Sequence, residues 1–226
     1  QLGWEHIKLY FMIGLPTETY EDLDGIADIA RKIMDINYEI RGRKGGRFRI
    51  TVSVSNFVPK PHTPFQWEKQ DRPEDFISKH NYLSGNLRIK GVTFNYHETN
   101  TSNLECALAR GDRRMCSVIE NAWKSGCTFD AWTEYFDADR WAKAFDDAAV
   151  SAGFADGHAM EEFYNYRERS FDEFLPWDII DTFVSRDYLK KEAGKAREEV
   201  TTPDCRLGCT GCGMNRHTEC FVNRKA

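Results

Sequence analysis

From His6 to Leu15 the residues are mostly apolar and the run ends at Gly14-Leu15-Pro16, a pattern that predicts a buried strand of a parallel sheet. Thr19, with Asp22 three residues on, supplies a variant of the capping box. Leu23, Ile26, Ile29, Ala30, Ile33 and Ile36 follow at helical spacing, so an amphipathic helix is expected from about 20 to 37. Phe48, Ile50, Val52 and Val54 alternate with polar residues and predict a second strand over 48–58. Pro59, Pro61 and Pro64 end it in a rigid turn. A second helix over about 73–89 carries Phe76, Ile77, Leu83 and Leu87, and 92–97 reads as a third strand. Strands alternating with helices define an α/β class with right-handed crossovers. Three strands cannot close a barrel, which suggests a piece of a larger sheet.

Past residue 100 the pattern turns helical, over 104–110, 113–125, 140–152 and from a Ser185 cap to about Glu199, with a loop-rich aromatic stretch over 153–184. Leu, Ile, Val and Phe number 24 in the first 90 residues but only 24 in the remaining 136. The later part is short of aliphatic core yet rich in rings, so Trp132, Trp141 and Trp177 are expected to form its core. Cys106, Cys116 and Cys127 are expected to be buried free thiols, and His80, His97 and His158 to be polar surface or helix positions. The division that follows is 1–100, an α/β part; 101–200, a helical extension; and 201–226, a cysteine-rich tail.

Charge excludes little. Thirty-one basic against 36 acidic residues leave −5, with no global pull toward nucleic acid. Mean hydropathy is −0.62, and no apolar run approaches the ~20 residues of a spanning helix, so no membrane partner is expected. Seven cysteines, an odd number with four in the last 22 residues, fit metal ligation in a reducing cytoplasm better than a disulfide scaffold.

Three of those four lie in the sharpest motif. In Cys205-Arg-Leu-Gly-Cys209-Thr-Gly-Cys212 the glycines permit the tight turns that bring thiolates onto one ion or cluster, and Cys220 or His217 would complete a set of four. Zinc and a 4Fe-4S cluster both accept such ligands. At the other end, Gly14 closes a strand before a helix N-terminus, where a ligand can approach backbone and free N–H groups. Arg110, Arg113 and Arg114 around Asp112 offer either guanidinium forks for a phosphate or carboxylate, or an ion-pair network with Asp112, Glu105 and Glu120.

Ile13-Gly-Leu-Pro-Thr-Glu-Thr19 with Tyr20-Glu21-Asp22, and Ser55-Asn-Phe-Val-Pro-Lys-Pro-His-Thr-Pro-Phe65, resemble a late strand and the next strand with its exit in the radical S-adenosylmethionine (radical SAM) barrel. The likeness continues through Ala109–Arg114, Phe129–Trp132, Leu175–Asp178 and the Asp204-Cys205 tail. Together these resemble the C-terminal half of a radical SAM iron-sulfur family whose members carry a cobalamin-binding-like domain upstream. The resemblance implies the late strands of a partial (β/α)6 barrel, a partial TIM-type barrel, supporting 5′-deoxyadenosyl radical chemistry on an unknown substrate, with RNA among the candidates. Ile13, Gly14, Asn56 and Val58 would face the adenosyl group of S-adenosylmethionine. No cysteine precedes Cys106, so the ligands of the radical 4Fe-4S cluster would come from a missing N-terminal half of the barrel. Cys205, Cys209, Cys212 and Cys220 would hold an accessory zinc or iron-sulfur site. The alternative is a binding module whose metal knuckle recognises RNA or a protein partner.

Overall fold

Alternation along the second strand decides the first layer. Ile50, Val52 and Val54 are fully buried on one face, while Thr51, Ser53 and Ser55 are half-buried on the other. In the computed structural model, which describes residues 3–42 and 47–218, that strand is the middle of three parallel ones: β1 (His6–Ile13), β2 (Arg49–Asn56) and β3 (Val92–Tyr96), in the order β1-β2-β3. Register runs from His6 opposite Arg49 to Ile13 opposite Asn56, and from Ile50 opposite Val92 to Val54 opposite Tyr96. The crossovers are α1 (Tyr20–Arg41) and α2 (Pro73–Asn86). Leu23, Ile26, Ala27, Ala30 and Met34 of α1 and Phe76 and Leu83 of α2 pack with Ile13, Ile50, Val52 and Val54 into one core. Among the described residues five further helices follow: α3 (Thr99–Arg110), α4 (Met115–Lys124), α5 (Ala138–Ala149), α6 (Gly157–Glu161) and α7 (Arg186–Arg197). The fold is mixed α/β, and none of its described helices is long and apolar enough to cross a membrane.

The chain divides into two units, Gln1–Val58 with Gln70–Glu105 and Ser125–Trp141, and Pro59–Lys69 with Cys106–Lys124 and Ala142–Ala226. The second is built on rings. Trp67, Leu175, Trp177, Leu189 and Ala193 form its core, with Trp67 edge-on to Phe171 at 4.8 Å and Trp177 Nε1 donating to Gln66 Oε1 at 2.6 Å. Arg110, wholly buried, donates to the carbonyls of Asn165 and Arg167, both at 2.9 Å. Arg114 pairs with Asp112, which also accepts from the Tyr164 hydroxyl. That is the structural reading of the arginine motif, although Glu120 bridges Lys124 rather than an arginine.

Several expectations need correction. Ile29 and Ile36 of α1 and Ile77 of α2 are exposed, because the buried stripes run through Ala27 and Met34, and through Phe76, His80 and Leu83. His80 is therefore a core residue. Trp141 and Trp177 are buried, but Trp132 faces solvent, since it sits in a turn before α5 rather than on a helix. Cys106 and Cys127 are buried and Cys116 is exposed. The stretch 153–184 contains α6, whose Ala159 N is capped by Asp156 Oδ1 at 2.8 Å, running into a π-helical turn over Glu162–Tyr166. Both pieces are too short for periodicity to reveal.

Candidate functional site at the carboxyl ends of the strands

β1 ends at buried Ile13, and Gly14 turns the chain with φ 79°. The turn leaves no room for a side chain: a Cβ on Gly14 would lie 2.5 Å from Phe76 Cε1 and 3.1 Å from Asp71 Oδ2. Glu18 Oε1 closes the loop by accepting from Gly14 N at 2.9 Å. It also accepts from Lys79 Nζ at 2.7 Å, and Lys79 donates to Asp71 Oδ2 at the same distance. Burial works against the Lys79 ammonium, but its bonds to Asp71 and Glu18 outweigh that, and its pKa is raised. The helix beyond opens with Asp22 accepting from Thr19 N at 2.7 Å and Thr19 Oγ1 at 2.9 Å.

One strand over, Asn56 continues the buried side of β2 but is polar. Its Oδ1 accepts from His80 Nε2 at 2.9 Å; its Nδ2 donates to Ser102 Oγ at 3.1 Å and to His97 O at 3.4 Å. Gln70 Nε2 donates to Phe57 O and Ser102 O at 3.0 and 3.2 Å. Asn56, Gln70, His80 and Ser102 are each at most 5% exposed, so this is a dry, bonded network. The His80 ring stacks on Tyr96 at 4.2 Å, and burial lowers its pKa from 6.5 to about 4. It is a neutral imidazole whose Nε2 carries the proton. The Asn56 side chain is thus committed inward.

Three of the four residues that the resemblance sets against an adenosyl group lie together. Ile13 and Asn56 are partners in the parallel register, Phe57 N donates to Ile13 O at 2.8 Å, and Gly14 follows directly. Val58, 7% exposed, ends that segment of the first unit. Sequence reasoning missed Glu18, Gln70, Asp71, Lys79, His80 and Ser102. Only His80 left a trace, lying four residues after Phe76 and three before Leu83.

The tail is different. Cys205 and Cys209 are exposed and Cys212 is half-buried, and among the described residues no three His, Cys, Asp or Glu side chains are grouped to hold a metal. As placed, these thiols do not form a ligand set. Cys220 lies outside the described residues. The segment is nevertheless tethered: Ser185 N donates to Cys212 O at 2.8 Å, and His217 stacks on Phe183 at 4.5 Å.

No family model matches the chain, and no solved structure matches it. Over 120 residues it is 33% identical to an uncharacterized protein of the archaeon Methanocaldococcus jannaschii. That match takes in 53% of this chain and 24% of the relative, so the chain spans about a quarter of that protein's length.

Proposed function

We propose that this chain supplies the late strands of a radical SAM barrel, with the turn after β1 and the backbone after β2 as one wall of an S-adenosylmethionine site. The observation that carries the reading is the meeting of Ile13-Gly14 with Asn56 at the carboxyl ends of two parallel strands, the edge of such sheets where ligands bind. Gly14 permits the tight turn against Phe76, and Glu18, Asp71 and Lys79 hold that turn in place before a ligand arrives. Among the described residues β1 is an edge strand of this sheet, as β3 is, and Tyr10 and Met12 on it are 73% and 45% exposed. In this reading the N-terminal half of the barrel pairs there and brings the three thiolates of the radical cluster, which residues 1–105 of this chain lack. A 4Fe-4S cluster would supply the electron that splits S-adenosylmethionine into methionine and a 5′-deoxyadenosyl radical. The part of this chain is to seat the adenosyl group and shield it from water. Cys205, Cys209, Cys212 and Cys220 belong to an accessory zinc or iron-sulfur knuckle only if metal draws the thiols together, since binding and ordering are coupled at such sites.

Equilibrium dialysis tests the adenosyl assignment. S-adenosylmethionine should be retained by the chain and displaced by adenosine but not by methionine. No retention, or displacement by methionine alone, overturns the reading.

A further inference from the structure

Between Thr128 and Asp139 the first unit carries four carboxylates, Asp130, Glu134, Asp137 and Asp139, and no lysine, arginine or histidine. The same stretch turns three large rings to solvent: Phe129 is 73% exposed, Trp132 61% and Tyr135 59%. Their backbone is held in consecutive turns, Trp132 N donating to Phe129 O and Tyr135 N to Trp132 O, each at 2.9 Å. Phe129 has φ 60°, a conformation a bulky residue keeps only where its surroundings enforce it. The base is fixed by Trp141, whose Nε1 donates to Asp130 Oδ1 at 3.2 Å. Alongside lies a cleft of about 470 Å³ lined by Thr128, Glu134, Tyr135, Asp137, Asp139 and Arg140.

Single exposed hydrophobics are ordinary, but three rings in seven residues on an ordered loop form a patch of the kind that docks partners. The charge of the rim selects the partner. Asp137 is occupied, its carboxylate bonded to Arg140 Nε at 3.0 Å, whereas Glu134 and Asp139 are exposed and carry no ion pair among the described residues. Carboxylates repel phosphate, which disfavours RNA. Ring faces and carboxylates both attract cations. The chain uses that contact within its second unit, where the Arg114 guanidinium lies 4.7 Å over the Phe154 ring.

We propose that the 128–139 loop docks an arginine- or lysine-bearing segment of a partner protein, its cationic heads lying over Trp132 and Tyr135 and pairing with Glu134 and Asp139. This surface does not depend on the adenosyl reading.

The test is calorimetric titration of the full chain with a nona-arginine peptide at low and at physiological salt. Trp132→Ala and Tyr135→Ala, which leave the net charge unchanged, should each weaken binding about tenfold. The double change Glu134→Gln with Asp139→Asn should weaken it and flatten its salt dependence. All four positions are exposed, and an unchanged circular dichroism spectrum verifies the fold. Wild-type affinity in both ring variants would mean diffuse attraction to an acidic chain and would overturn the proposal. So would tighter binding of polyuridylate than of the peptide, or a dimer in sedimentation that Trp132→Ala dissolves, because a nucleic acid or a second copy would then own the face.

Discussion

Asn56 stands where the alternation of β2 calls for another hydrocarbon, and a buried amide is tolerable only because His80, Ser102 and His97 O bond all of it. That arrangement requires a neutral His80. The side chains against its ring, Asn56, Phe76 and Tyr96, include no carboxylate to favour the charged form. Folding therefore lowers its pKa from 6.5 to about 4, and below about 6.5 the unfolded chain binds the extra proton. Stability should fall as pH drops from about 7 toward 4 and level off below that. Urea denaturation of wild type and His80→Gln across this range isolates the effect: the variant should lack this part of the slope, and parallel curves would show that the imidazole is not held neutral. Gly14 is constrained from two sides, by φ 79° and by Phe76 Cε1 at 2.5 Å from any added Cβ. Gly14→Ala should cost about 2–4 kcal/mol, from a left-handed backbone plus overpacking against a buried ring. An unchanged denaturation midpoint would contradict that geometry.

Among the elements, the strands and the two crossover helices were legible in position because the apolar pattern is strong over runs of five to 22 residues, but β1, expected to be buried, is buried only at Ile13. The Ser185 cap was legible too, and its Oγ accepts from Tyr188 N at 3.3 Å. The polar half of the candidate site was not. Glu18, Asp71 and Lys79 meet through tertiary approach, Lys79 reaching across 61 residues to Glu18, and no spacing in the chain records that. Which rings are covered was also hidden, since Trp132 and Trp141 differ by turn against helix rather than by composition. The tail remains the element whose chemistry reads most clearly and whose described residues are least assembled. If it binds metal, anaerobically purified protein should hold about one zinc or one cluster of roughly four irons per chain. Cys209→Ser should abolish this and Cys116→Ser should not. Equal metal in wild type and the Cys209 variant, by elemental analysis, would remove the site.

At the scale of the whole molecule, a three-stranded parallel sheet ends in an eight-residue edge strand, β1, with its backbone unpaired on one side among the described residues. Such an edge invites another strand. The proposed radical SAM reading would pair that edge with the N-terminal half of the barrel, and in it the ligand would lie at the carboxyl ends of the strands. The measurement that bears on it most directly is a backbone amide NMR map of the full chain titrated with S-adenosylmethionine. The account predicts shifts concentrated at Ile13, Gly14, Glu18 and the amides of Asn56, Phe57 and Val58, with the 128–139 loop unmoved. A titration that leaves those amides in place, or shifts only residues distant from the strand ends, would contradict it.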